Sequence, residues 1–149
     1  MLSEPEREVA EYFCLFVAGA DAAAVAHVCP RFAQRWQQDP QAAADQAGDV
    51  LRALVDKSLL VAVPGSTGTR FRMLETLREF GADRLAEQGL RDAAGLAHAR
   101  HYAQVARDAD AALRTPAQIE ALATFDVERE NLLAALACLG EQPDAEAAV

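Results

Sequence analysis

Residues 54–80, LVDKSLLVAVPGSTGTRFRMLETLREF, constrain the fold of this chain more than any other stretch. Residues 59–63 form an apolar run that includes two valines, strong strand formers. Pro64-Gly65-Ser66-Thr67-Gly68 is a dense group of turn residues. Arg70-Phe71-Arg72-Met73 then alternates polar with apolar, the period of a half-buried strand. Two strands joined by so short a loop pair antiparallel. A β-hairpin is therefore expected here, with Phe71, Met73 and alternate residues of 59–63 facing inward.

Helical signals surround the hairpin. Ser3 and Glu6 make a capping box with Pro5 in the permissive first turn. Val9, Tyr12, Phe13 and Phe16 then share one stripe, and Gly19 is expected to end that helix. Asp21 caps a short helix over residues 22–28. Residues 30–47 carry no clear pattern, apart from Phe32 and Trp36 at helical spacing and a break at Asp39-Pro40. Residues 42–57 read as a helix whose inner face is Val50, Leu51, Leu54 and Val55. After the hairpin, residues 74–88 read as a helix with Leu77, Phe80 and Leu85 inward. Gly81 within it suits a close backbone approach, and Gly89 stops it. Helices, then a hairpin, then a helix is the layout of a winged helix.

From residue 91 onward the pattern is purely helical. Tyr102, Val105, Ala109 and Ala112 mark one side of a helix over residues 92–114. Thr115-Pro116 reads as a restart, with Gln118 closing a T-x-x-Q box. Ile119, Leu122 and Phe125 form the next stripe, and Leu132, Leu133, Leu136 and Leu139 another. Gly140 to Pro143 breaks the last helix before an acidic, Ala-rich tail. The expected fold is mainly α with one β-hairpin. A winged helix spans residues 1–88, and antiparallel helices, the start of a TPR-like array, span residues 89–149. About 60 residues make a marginal separate core. Leu132, Leu133, Leu136 and Leu139 are thus candidates for a partner surface, self-association included.

Composition narrows the function. The chain is 52% hydrophobic but only 6% aromatic, so alanine supplies much of a thin core. Its net charge is −9, whereas a duplex binder needs a basic footprint to release phosphate counterions. In the helix over residues 42–57, Asp45, Asp49 and Asp56 outnumber Arg52 and Lys57. The best basic patch is Arg70 and Arg72 on the polar face of the second strand, with Arg78 nearby. These three are the candidate nucleic-acid contacts, and a solvated face balanced by Glu75 and Glu79 is the plainer alternative.

No constellation supports catalysis. Asp56-Lys57-Ser58 lacks a neighbouring base and reads as a helix end, with Lys57 complementing the dipole. His98 and His101 are three apart but lack two further zinc ligands, and Cys14, Cys29 and His27 do not obviously converge on one site. The histidines are expected to be neutral and at the surface. No metal or cofactor is expected. Three cysteines without a CxxC pair suggest reduced thiols in a cytoplasm. They read as inert core residues, with only Arg31 close to Cys29. The N-terminus lacks a basic-then-apolar leader, and no apolar run reaches ~18 residues.

The pieces LVDKSLL (residues 54–60) and RFRMLETLREF (residues 70–80) resemble the winged-helix region of bacterial STAND-type signalling ATPases. Among these are large regulators with LuxR-type or SARP-type DNA-binding ends. LSEPEREV (residues 2–9) and ERENLLAAL (residues 128–136) are similar to the same family. The resemblance implies a piece of a longer regulator. Its place would be between a P-loop nucleotide-binding domain, in cis or in trans, and a helical sensor. The implied work is a non-catalytic relay of conformational change. Two departures stand out. The chain has no G-x-x-x-x-G-K-[ST] loop. Met73-Leu74-Glu75 stands where relatives place a nucleotide-sensing triplet, and leucine replaces its phosphate-contacting histidine. The alternative expectation is a free-standing winged-helix DNA-binding transcriptional regulator.

Overall fold

Ser3 starts the first helix, α1 (Glu4–Phe13). Its hydroxyl accepts the Glu6 N–H at 3.3 Å and donates to the Glu6 carboxylate at 3.0 Å. The structure, a computed structural model, describes residues 1–65 and 68–141. Helix α1 ends at Phe13, earlier than Gly19 would have it. Successive tight turns follow, and they bury Phe16 outside the helix. These turns bring Ala20 alongside Phe71, where the two residues exchange hydrogen bonds of 3.0 and 2.8 Å. Gly19 serves that approach. Its φ is +78°, and a Cβ there would lie 2.3 Å from the Phe71 carbonyl oxygen.

Asp21 caps α2 (Ala22–Val28), accepting the Ala24 N–H at 2.9 Å. The segment without a clear pattern forms a 3₁₀ turn (Pro30–Phe32) and α3 (Ala33–Gln38). Asp39 then caps α4 (Pro40–Asp56), which packs on α2. The inner face of α4 differs from the expected one. Leu51 and Leu54 are buried, but Val50 and Val55 are only half-buried, and Ala43, Ala47 and Gly48 complete the face. Small residues win there because α2 lies close. A Cβ on Gly48 would sit 3.7 Å from that of Ala22.

Helix α4 exits through Ser58 at φ +63°. Leu59 N–H bonds the Leu54 carbonyl and Ser58 N–H that of Val55, the paired bonds of a Schellman cap. The hairpin follows as β1 (Leu60–Gly65) and β2 (Gly68–Met73) in antiparallel register, Leu60 opposite Met73 and Ala62 opposite Phe71. Leu60 and Phe71 are buried and Met73 half-buried, while Ala62 is exposed. Of the turn residues, Ser66 and Thr67 lie outside the described residues.

Helix α5 (Glu75–Glu87) packs on α1. It buries Gly81 and Leu85, leaves Leu77 half-buried, and turns Phe80 outward, 64% exposed. The inward placement expected for Phe80 fails because the contact runs through Gly81. A Cβ there would meet that of Cys14 at 3.0 Å, and Phe80 lies one residue round the helix. Gly89 at φ +71° ends the helix as expected.

The chain divides into two compact units, Met1–Ala94 and Gly95–Val149, with the boundary inside α6 (Arg91–Ala112). The sequence-based boundary falls earlier, at the end of α5. The first unit has the order helix, single bridge, helix, helix, strand, strand, helix, with α3 inserted before α4. That is a winged helix whose first strand is reduced to Ala20. Its core gathers Val9, Phe13, Phe16, Val25, Leu51, Leu54, Leu60, Phe71 and Leu85.

The second unit contains the rest of α6, with α7 (Gln118–Val127) and α8 (Arg129–Gly140). Thr115 does not cap α7. Its hydroxyl donates to the Ala112 carbonyl at 2.7 Å and accepts the Ala117 N–H at 3.1 Å, so it closes α6 instead. Ala99, Tyr102, Ala109, Ala121, Ala135 and Leu139 form a core with few large side chains. The stripe Ile119, Leu122 and Phe125 is not a buried one: Ile119 and Leu122 are exposed and Phe125 half-buried. Helix α8 ends at Gly140, while Pro143 and the acidic tail lie outside the described residues. Among the described residues, no helix is long and apolar enough to cross a membrane.

Candidate functional site

A winged helix that reads DNA presents its second motif helix and its hairpin to the duplex. Here that helix is α4. Its outward face carries Gln41, Asp45, Asp49, Arg52 and Asp56, all exposed. Gln41 donates to the Asp45 carboxylate at 3.0 Å, and Arg52 is paired with Asp49. Lys57 reaches the Glu6 carboxylate and, at 3.0 Å, the Met1 carbonyl. The Lys57 hydrogen bond holds the Glu6 carboxyl below its usual range, against the pull of desolvation. Lys57 therefore ties α4 to α1, a partnership that the dipole reading of the sequence missed. The face left to a partner is net negative.

The three candidate arginines do not form one patch. Arg70 is half-buried, and its guanidinium donates to the carbonyls of Ala18 (3.2 Å) and Gly19 (3.0 Å). Arg78 donates to the Cys14 carbonyl at 3.4 Å and to Glu75 at 3.2 Å, pinning α5 to α1. Arg72 is exposed on the hairpin. Glu75 is thus engaged with Arg78. In the triplet, Met73 is half-buried, Leu74 is 62% exposed, and Glu75 opens α5. Met73 lines a groove of about 530 Å³ with Met1, Leu2, Leu59, Leu77 and Phe80.

Burial pushes the thiol pKa of Cys14 up to about 11 and that of Cys29 up to about 12, so neither is an activated nucleophile. Arg31 is engaged with Glu8 at 2.9 Å. Among the described residues, no three of His, Cys, Asp and Glu gather as metal ligands.

His98 overturns the surface reading made for it. It is 3% exposed, and desolvation pushes its imidazole down to about 4, with a hydrogen bond to Asn131 acting the other way. Its ring lies 4.7 Å from that of Tyr102. The fully buried Asn131 donates to the Tyr102 hydroxyl at 3.2 Å and to Glu128 at 3.1 Å. Sequence reasoning missed this cluster. Its signal is a single asparagine in the otherwise apolar run of residues 131–136.

The leucines of α8 line an apolar groove of about 690 Å³ with Leu122, Phe125 and Tyr102. Leu133 and Leu136 are 54% and 67% exposed, and Leu132 is half-buried. Leu139 is 7% exposed and belongs chiefly to the core. Arg107, Asp126 and Arg129 supply the groove's charges.

The chain is 37% identical over 143 residues to proteins of Mycobacterium bovis and of two strains of Mycobacterium tuberculosis, H37Rv and CDC 1551. The match covers nearly all of this chain. Each relative carries the provisional name of HTH-type transcriptional regulator. The match takes in 92% of this chain and 14% of each relative's length. The chain is therefore homologous to a segment of much longer proteins. No family model matches it, and neither does any solved structure.

Proposed function

We propose that this chain is a non-catalytic winged-helix module of a transcriptional regulator, acting in the cytoplasm through protein contacts. The observation that carries this reading is the charge of α4. The helix that would enter a major groove exposes Asp45, Asp49 and Asp56, and its arginine is already paired with Asp49. Each carboxylate placed against phosphate opposes binding, and no counterion release offsets it. Within this reading, the resemblance to STAND-type ATPases supports the finer role of a relay. The winged helix would dock on a nucleotide-binding domain, and the helices beyond it would answer to a sensor.

A second reading has its own support. The relatives' names speak for a DNA-facing regulator more than for a signalling ATPase. Arg72 on the hairpin is the exposed cation that would touch phosphate. Anisotropy of labelled duplex DNA, titrated with the chain at low and at physiological salt, separates the two. The expected result is no binding at physiological salt and none that Arg72→Glu abolishes at low salt. Salt-sensitive binding lost in Arg72→Glu would establish the DNA-facing reading instead.

A further inference from the structure

The face of the second unit is complementary to itself. Leu122, Leu133 and Leu136 are each more than half exposed, so the groove is open along these leucines and suits a helix laid across it. Helix α7 has the form of such a ligand. Ile119 and Leu122 stand three residues apart and are 76% and 58% exposed. The same helix carries Glu120 and Asp126 and no cation. The α6 and α8 walls of the groove contribute Arg107 and Arg129. Among the described residues, none of these four charged side chains has an ion-pair partner.

Helix α7 cannot fill a groove of which it forms one wall, but the α7 of another copy can. We propose that the α7–α8 face is an isologous dimer interface in which a second copy of this chain is the occupant. Leu122 of each copy lies against Leu133 and Leu136 of the other, and Asp126 of each faces Arg129 of the other. Two-fold symmetry makes every contact twice, so a modest patch doubles its buried area. Such a dimer requires nothing of the winged helix, whether or not that unit touches DNA.

Sedimentation equilibrium of the whole chain across the micromolar range tests it. The expected species has twice the 16.0 kDa chain mass. Leu136→Glu should weaken association by at least ~10-fold, as truncation of a central contact does. Its circular dichroism should be unchanged. Arg129→Glu should weaken association too, and adding Asp126→Arg should restore it. That rescue is a readout that a merely misfolded variant cannot produce. A monomer at every concentration would overturn the proposal and assign the face to another partner. A dimer indifferent to both Leu136→Glu and Arg129→Glu would overturn it as well, since that dimer would form elsewhere.

Discussion

His98 is a titratable group that folding takes out of water, and its sign follows from that. Its folded value of about 4 lies below the ordinary 6.5, because burial disfavours the imidazolium. As pH falls, the unfolded chain takes up this proton first. Stability is therefore intact above pH 6.5 and declines toward pH 4. Between pH 7 and pH 5 the expected loss is about 2 kcal/mol. Glu6 acts in the same direction, but only as pH falls below its ordinary 4.5, while His27, also lowered by burial, adds to the loss in the same window as His98. Urea denaturation at pH 7 and pH 5, followed by circular dichroism, measures the loss. His98→Gln, which cannot titrate, should remove most of it and leave the smaller share of His27, and an equal loss in that variant would remove His98 as the cause. None of this was legible at residue 98 itself. The flanking sequence A-H-A-R-H-Y fits an exposed helix face as well as a buried one. Only the approach of Asn131, distant in sequence, decides between them.

Elements were legible where their determinants are local. Ser3 and Asp21 each cap the helix that follows, the break at Asp39-Pro40 falls where α4 begins, and Gly89 ends a helix. The hairpin came through because turn residues and alternation act within a few positions. Determinants that depend on a packing partner were not legible. Helix α1 stops early because Ala20 must reach Phe71, and Phe80 turns out because α1 and α5 meet at Gly81. The candidate site suffered in the same way. Arg70 and Arg78 look like surface cations in the sequence, yet both satisfy backbone carbonyls of the segment after α1. Thr115 and Asp39 allow a direct comparison of caps. Asp39 accepts the Ala42 N–H at 3.2 Å in the first turn of α4, so Asp39→Ala should cost about 1 kcal/mol. Thr115 caps nothing in α7, and Thr115→Ala should cost less than half of that. Thermal denaturation of both variants checks the order, and equal losses would overturn it.

The whole chain joins two units with unlike cores. The winged helix buries Phe13, Phe16, Phe32 and Phe71 with Leu51, Leu54, Leu60 and Leu85. The second unit relies on Tyr102, Leu139 and several alanines. Burial stabilises at roughly 25 cal/mol per Å² of apolar surface, and alanine offers little surface. The second unit should therefore unfold first. The single tryptophan allows the halves to be watched apart, since Trp36 lies in the winged helix, stacked on His27 at 4.7 Å. In a urea titration, circular dichroism should lose amplitude before Trp36 emission changes. Coincident curves would show one cooperative transition instead. Protein concentration adds a second test. A ligand that binds only the folded form raises its apparent stability, and a second copy is such a ligand. If α7 and α8 bind their counterparts, the early transition should move to higher urea as concentration rises, while the Trp36 transition stays fixed. An early transition that ignores concentration would count against the dimer without touching the winged-helix reading. One that moves only in the wild-type chain, and not in Leu136→Glu, would place the association on the α7–α8 face.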